Sequence, residues 1–226
     1  MATASIGTEE KPSRCPVKHS ASQRPSECPA NAGKDKLDPS NMMPASPNEP
    51  MENQPFSLSK NRQLSSIPKG GTNSDKWVYP SEQMFFNAMI RKGWKFSEEQ
   101  LKPEDMQHII TIHNKNNEDA WNEILKWEAL HAKDCTNPKL LRFHGRAKDF
   151  SPRARIRSWL GYELPFDRHD WVIDRCGKEV RYVIDYYGCD PQPDRSVPIF
   201  IDVRPALDSF SAFKDRVLVA FRRWTS

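Results

Sequence analysis

Two runs, "DWVIDR" (170–175) and "KEVRYVIDYY" (178–187), alternate apolar and polar residues in twos, and only Cys176-Gly177 separates them. Period-two alternation puts one set of side chains on each face of a strand, and a two-residue gap containing glycine predicts a hairpin. No other feature constrains the fold as much, because an isolated hairpin is marginal in water and must bury one face against further elements. "VPIFIDV" (197–203) supplies a third strand.

Helical patterns stand on both sides of these strands. "YPSEQMFFNAMIRKGW" (79–94) predicts a short helix entered at Ser81 and stopped by Gly93, with Met84, Phe85, Ala88 and Met89 as its stripe. Pro103 suits a first helical position, and the run to about Asn114 predicts a second helix. On that helix Met106, Ile109, Ile110 and His113 share one face at spacings of three, four and seven. The polar "HNKNNED" predicts a break, with Asn116 or Asn117 capping a new helix that carries Trp121, Ile124, Leu125 and Trp127 to about His131. "ALDSFSAFKDRVLVAFRRW" (206–224) predicts an amphipathic helix with Phe210, Phe213, Val217, Phe221 and Trp224 on one broad face. The expected class is α+β: helices around a small antiparallel sheet.

Composition sets the domain boundary. Ten of the nineteen prolines and one aromatic, Phe56, lie in residues 1–76, whereas all seven tryptophans and all five tyrosines lie in residues 77–226. Residues 1–76 are expected to form a disordered Pro-rich tail, since so little apolar surface cannot offset chain entropy, and residues 77–226 the folded domain. Net charge is +4, with the charges mostly interspersed, which does not demand nucleic acid and only mildly favours an anionic surface or ligand. No apolar run reaches the roughly 18–20 residues of a spanning helix. The start "MATASIGTEE" has no secretory apolar region, and Ala2 stands where an N-myristoylation pattern needs glycine. Five cysteines without a CxxC pair signal neither a structural zinc site nor a disulfide framework.

Several groups carry chemistry. Cys15-Pro16 and Cys28-Pro29 offer thiolates able to ligate ferric haem iron, or they are solvated cysteines of no consequence. His113, ending an apolar stripe, is either a packed histidine bonded to a backbone carbonyl or Glu118, or an imidazole presented to a flat, metal-centred ligand. Trp77, Tyr79, Trp94, Trp121, Trp127, Trp159 and Trp171 could line a porphyrin-shaped slot, or simply form an aromatic core. Arg153, Arg155 and Arg157 would share one face of an extended chain. There they would meet carboxylates, phosphates or lipid headgroups, or form ion pairs with Glu163, Asp167 and Asp170. No RRM, KH or zinc pattern accompanies them, so nucleic acid is not an expected partner.

Taken together, "WVYPSEQMFFNAM", "IHNKNNEDAWNEILKWEALHA", "SPRARIRSWLGYELPFDRHDWVIDRCGKEVRYVIDYY" and "DVRPALDS" resemble the blocks of the mitochondrial cytochrome c-type haem lyases, the holocytochrome c synthases. The resemblance spans residues 77–226, and the tail's "CPV" and "CPA" resemble that family's haem-regulatory motifs. It implies an enzyme on the intermembrane-space side of the mitochondrial inner membrane, in peripheral contact with it. It implies binding of haem b and of the N-terminal helix and CXXCH segment of apocytochrome c. Two thioether bonds would then join the CXXCH cysteines to the haem vinyl groups. By position it implies His113 as the axial haem ligand and Trp77, Tyr79, Pro80, Asn87 and Met89 as haem contacts. Glu118 would orient the histidine helix, and Cys15 and Cys28 would be further candidate ligands. The arginines of 153–157 are candidate partners for the haem propionates.

Overall fold

The computed structural model describes residues 37–41, 43–52, 54, 56–71, 75–96, 101–189 and 199–225. Cys15 and Cys28 lie outside the described residues. A four-stranded antiparallel sheet in the order β5-β6-β7-β8 forms the centre, from β5 (Lys139–Gly145), β6 (Asp167–Arg175), β7 (Lys178–Gly188) and β8 (Ile199–Pro205). The predicted hairpin is β6–β7, with Arg175 paired to Lys178. Its two turn residues both take positive φ, 47° at Cys176 and 96° at Gly177, the backbone a tight twisted hairpin requires. Alternation then sends Trp171 and Ile173 of β6, Tyr182, Ile184 and Tyr186 of β7 and Val203 of β8 to one face, where they form the main core.

That face is covered by α2 (Pro103–Glu128), which contributes Ala120, Trp121 and Ile124. Helix α2 is continuous, so the expected break at "HNKNNED" is corrected. It spans two apolar clusters: its start buries Met106 beside Phe86, Leu58 and Leu101, and its end enters the sheet core. The polar residues occupy the stretch between them. They belong to neither cluster yet stay helical, because packing at both ends outweighs the low helix propensity of asparagine. A 3₁₀ turn, Ala129–His131, follows.

The folded unit begins well before Trp77, so the tail reading is corrected for the described residues from Leu37 onward, where the Ser40 carbonyl already accepts the Phe143 N–H of β5 at 2.9 Å. Among them β3 (Leu64–Pro68) pairs with β4 (Lys76–Val78), Ile67 enters the main core and Leu58 the second cluster. Two-residue strands β1 (Leu37–Asp38) and β2 (Met43–Pro44) pair upstream. Few apolar anchors suffice because backbone bonds do the rest: Asn87 of α1 (Glu82–Arg91) donates from Nδ2 to the carbonyls of Pro47 and Glu49, both at 2.9 Å.

The stretch "SPRARIRSW" is a helix, α3 (Pro152–Trp159), not an extended row. Ser151 accepts the Ala154 N–H at 3.1 Å and Pro152 fills the first turn, a strong helix start that overrides the alternation of arginines. Helix α3 rests on the sheet face opposite α2. Ser151 donates to Asp185 at 2.7 Å, and the Arg157 guanidinium lies 5.8 Å from the Tyr187 ring, on β7 positions that alternate away from the core.

A disulfide joins Cys135 to Cys176 across 41 residues, which corrects the expectation that no disulfide was signalled. It ties the chain after α2 to the hairpin turn, beside the buried pair of Arg175 with Glu128 (2.7 and 2.8 Å), whose carboxylate also accepts the Tyr182 hydroxyl at 2.6 Å. Helix α4 (Phe210–Thr225) closes the fold along β8, burying Ala212 and Asp215. Asp215 lies 2.8 Å from His131 Nε2. No helix among the described residues is long and apolar enough to cross a membrane.

Candidate functional site

His113 sits in the polar middle of α2, half-buried between the two apolar clusters. The Phe85 ring of α1 meets it edge-on at 5.2 Å between centroids, and the Tyr79 ring does so at 6.1 Å. Of the expected stripe, Met106 and Ile109 enter the second cluster, two turns and one turn before His113.

The hydrogen bonds around the ring fix its chemistry. Asn114 Nδ2 donates to Gln63 Oε1 at 2.9 Å, which turns Asn114 Oδ1 toward His113 Nδ1, 3.2 Å away. An acceptor at Nδ1 holds the proton there and leaves the Nε2 lone pair for an electrophile or metal. Asn117 donates its better bond to the His113 carbonyl at 2.7 Å and approaches Nε2 only at 3.4 Å. Burial, the largest influence, holds the His113 pKa below the usual imidazole range, so the ring is neutral at neutral pH. A neutral imidazole with a protonated Nδ1 is the form that ligates haem iron.

Glu118 does not touch the imidazole. Its Oε1 accepts the Ser66 N–H and the Tyr79 hydroxyl, each at 2.9 Å, and its Oε2 accepts the Ser66 hydroxyl. Burial raises its pKa, but these bonds outweigh that and hold it below the usual carboxylate value. Glu118 thus pins α2 to β3 and to the chain leaving β4, and so sets where His113 stands.

Among the family-implied contacts, Tyr79 pairs its ring with His113. Trp77 faces the main core, donating from Nε1 to the Leu140 carbonyl at 3.0 Å and meeting Phe143 edge-on at 5.2 Å. Asn87 is buried and spent on Gln83 and the backbone at 47–49. Met89 packs on the second cluster, and Pro80 only leads into the Ser81 cap of α1. The tryptophans do not line one slot: Trp121 and Trp171 are core, while Trp94 and Trp159 are exposed. Propionate pairing by the 153–157 arginines is also corrected, because α3 lies across the sheet from His113. There Arg153 faces Asp202 at 3.6 Å and Arg157 lies over Tyr162 at 4.7 Å.

One neighbour is not among the expected site residues. His169 of β6 stands on the same sheet face as Trp171, edge-on to Tyr186 at 5.5 Å. Lys92, just past the end of α1, and a protonated His169 both disfavour the charged form of His113. His169 Nδ1 is buried without a hydrogen bond, 3.6 Å from Asp167, and burial lowers its pKa as well. The alternating pattern of "DRHDW" put His169 on the Trp171 face, which was the available signal. Among the described residues no cluster of three or more His, Cys, Asp or Glu could hold a bare metal ion. The arrangement offers one axial nitrogen set among aromatic edges.

Comparison with known proteins agrees with this chemistry. The family model for cytochrome c/c1 heme lyase matches residues 1–137 and 130–220. The chain is 61% identical over 206 residues to the Homo sapiens holocytochrome c-type synthase, covering 88% of this chain and 76% of that protein. It is 59% identical over 213 residues to the Gallus gallus holocytochrome c-type synthase, covering 94% and 74%. It is 40% identical over 229 residues to the Saccharomyces cerevisiae holocytochrome-c synthase, covering 91% and 85%. No solved structure matches. The chain belongs to the cytochrome c/c1 haem lyase family.

Proposed function

We propose that this enzyme binds haem b through His113 and joins it covalently to apocytochrome c. The observation that carries the reading is the hydrogen-bond chain Gln63–Asn114–His113, which places the proton on Nδ1 and leaves a neutral ring between Phe85 and Tyr79, its Nε2 lone pair met only by the long 3.4 Å bond from Asn117. The enzyme supplies no nucleophile. The two CXXCH thiols of apocytochrome c are the nucleophiles, and each S–H adds across a vinyl double bond: sulfur bonds one vinyl carbon, the proton goes to the other, and nothing else is consumed. What remains is positioning, which contributes several kcal/mol when the reacting atoms are held together. His113 holds one face of the iron, the CXXCH histidine takes the other, and the N-terminal helix of apocytochrome c docks alongside. Tyr79 and Phe85 flank the ring. Glu118 keeps α2 in register, and Cys15 and Cys28 are candidate auxiliary thiolate ligands.

The workplace we infer is the intermembrane-space side of the mitochondrial inner membrane. The Cys135–Cys176 disulfide supports an oxidising compartment, since such bonds are rare where thiols are kept reduced. Titration of haem into the purified chain tests the ligand. Wild type is expected to give a Soret band of imidazole-ligated haem that His113→Ala loses. An unchanged band in the variant would remove His113 from its role.

A further inference from the structure

Helix α4 exposes the face that its sequence pattern would assign to a core. At 100° per residue Phe210, Phe213, Val217, Phe221 and Trp224 fall within about 80° of one another. Each is more than half exposed, while Ala212 and Asp215 point inward. Helix α3 with its capping Leu160 repeats the arrangement: Ile156, Trp159 and Leu160 are 54%, 84% and 72% exposed. Both helices are fastened to β8, Arg153 facing Asp202 at 3.6 Å and Arg216 donating to the Pro205 carbonyl at 2.7 Å. Exposed apolar surface on this scale marks an interaction site.

Charge identifies the occupant. Helix α4 carries Lys214, Arg216, Arg222 and Arg223 against one acid, Asp215, which is buried beside His131. Helix α3 carries three arginines and no acid. Aromatic rings on a cationic helix too polar to cross a bilayer are the signature of an interfacial helix. The rings project from helices laid on a sheet, which suits a planar surface. We propose that α4, with α3, docks the protein on an anionic lipid bilayer, its aromatic stripe lying among the headgroups. This deepens the reading of peripheral membrane contact by naming the surface. Helix α3 and His113 lie on opposite faces of the central sheet, so docking through α3 leaves the haem side open.

The test is co-sedimentation of the full chain with vesicles of equal parts phosphatidylcholine and phosphatidylglycerol, and with pure phosphatidylcholine. Wild type is expected to partition at least about tenfold better onto the anionic vesicles, and less as salt rises. F213E/W224E is expected to lose at least about tenfold in partition while keeping its haem Soret band. Trp224→Ser, at a position 84% exposed, gives a milder version should the double variant fail to fold. No binding by folded wild type would overturn both the surface and the reading of membrane contact. Equal binding by F213E/W224E would overturn the surface alone. A wild-type dimer in sedimentation velocity that F213E/W224E dissociates would make the face a self-interface and overturn the lipid assignment.

Discussion

Replacing Asn114 by leucine should weaken haem binding without unfolding the protein. Asn114 is buried, at 5% exposure, and leucine has nearly its shape. The substitution removes the acceptor 3.2 Å from His113 Nδ1 and the donor to Gln63. Gln63 is exposed and can bond water instead, so the stability loss should be about 1 kcal/mol, a fall in Tm of roughly 2–4 °C for a domain of this size. The ligand should suffer more. Losing the partner that fixes a ligating histidine typically costs 10–100-fold in metal affinity, or about 1.4–2.8 kcal/mol. Asn114→Asp restores an acceptor for Nδ1–H, and its charge makes the imidazole a better donor, so it should bind haem at least as tightly as wild type. Haem titration followed at the Soret band, beside thermal unfolding, reads both effects. If Asn114→Leu bound haem within a factor of two of wild type while His113→Ala did not bind, the tautomer argument would be wrong and the ligand assignment would stand.

Other outcomes follow from the same geometry. His113 and His169 have pKa values held below 6.5 by burial, so the unfolded chain takes up their protons first as pH falls. Their contribution is complete above about pH 6.5, declines as pH drops from there toward the folded values, and levels off below them. Urea midpoints at pH 7.5 and 5.5 should therefore differ less for H113Q/H169Q than for wild type, and equal differences would refute the burial argument. Cys135→Ser opens the 41-residue loop and should cost about 4 kcal/mol by loop entropy, seen as a lower denaturant midpoint that reductant no longer changes. Trp77→Phe loses the bond to the Leu140 carbonyl and should cost about 1 kcal/mol of stability with haem affinity intact. A large affinity loss at unchanged stability would return Trp77 to the haem site.

The hairpin was legible because strict alternation and a glycine turn are local signals, and both survive folding unchanged. Ser81 and Pro103 marked their helix starts for the same reason. Strand β5 was not legible: it is an edge strand with an irregular register between Leu140 and Arg142, so its burial does not alternate cleanly. The continuity of α2 depends on packing at its two ends, which no window across "HNKNNED" contains. His113 could be singled out from its stripe, and its Nδ1 partner is the next residue. Gln63, which orients that partner, lies 51 positions from Asn114. The direction of the α4 face was hidden because an apolar stripe is equally periodic whether it meets a core or the outside.

The central claim is tested most directly by co-expressing this chain with a mitochondrial-type apocytochrome c in a bacterial host lacking its own cytochrome c maturation, as wild type and as His113→Ala. The readout is haem that stays on the cytochrome band through a denaturing gel. Covalent haem with wild type and none with the variant is the predicted result. Covalent haem at equal yield with both would contradict the role of His113. Its absence with both, from folded protein, would contradict the proposed reaction.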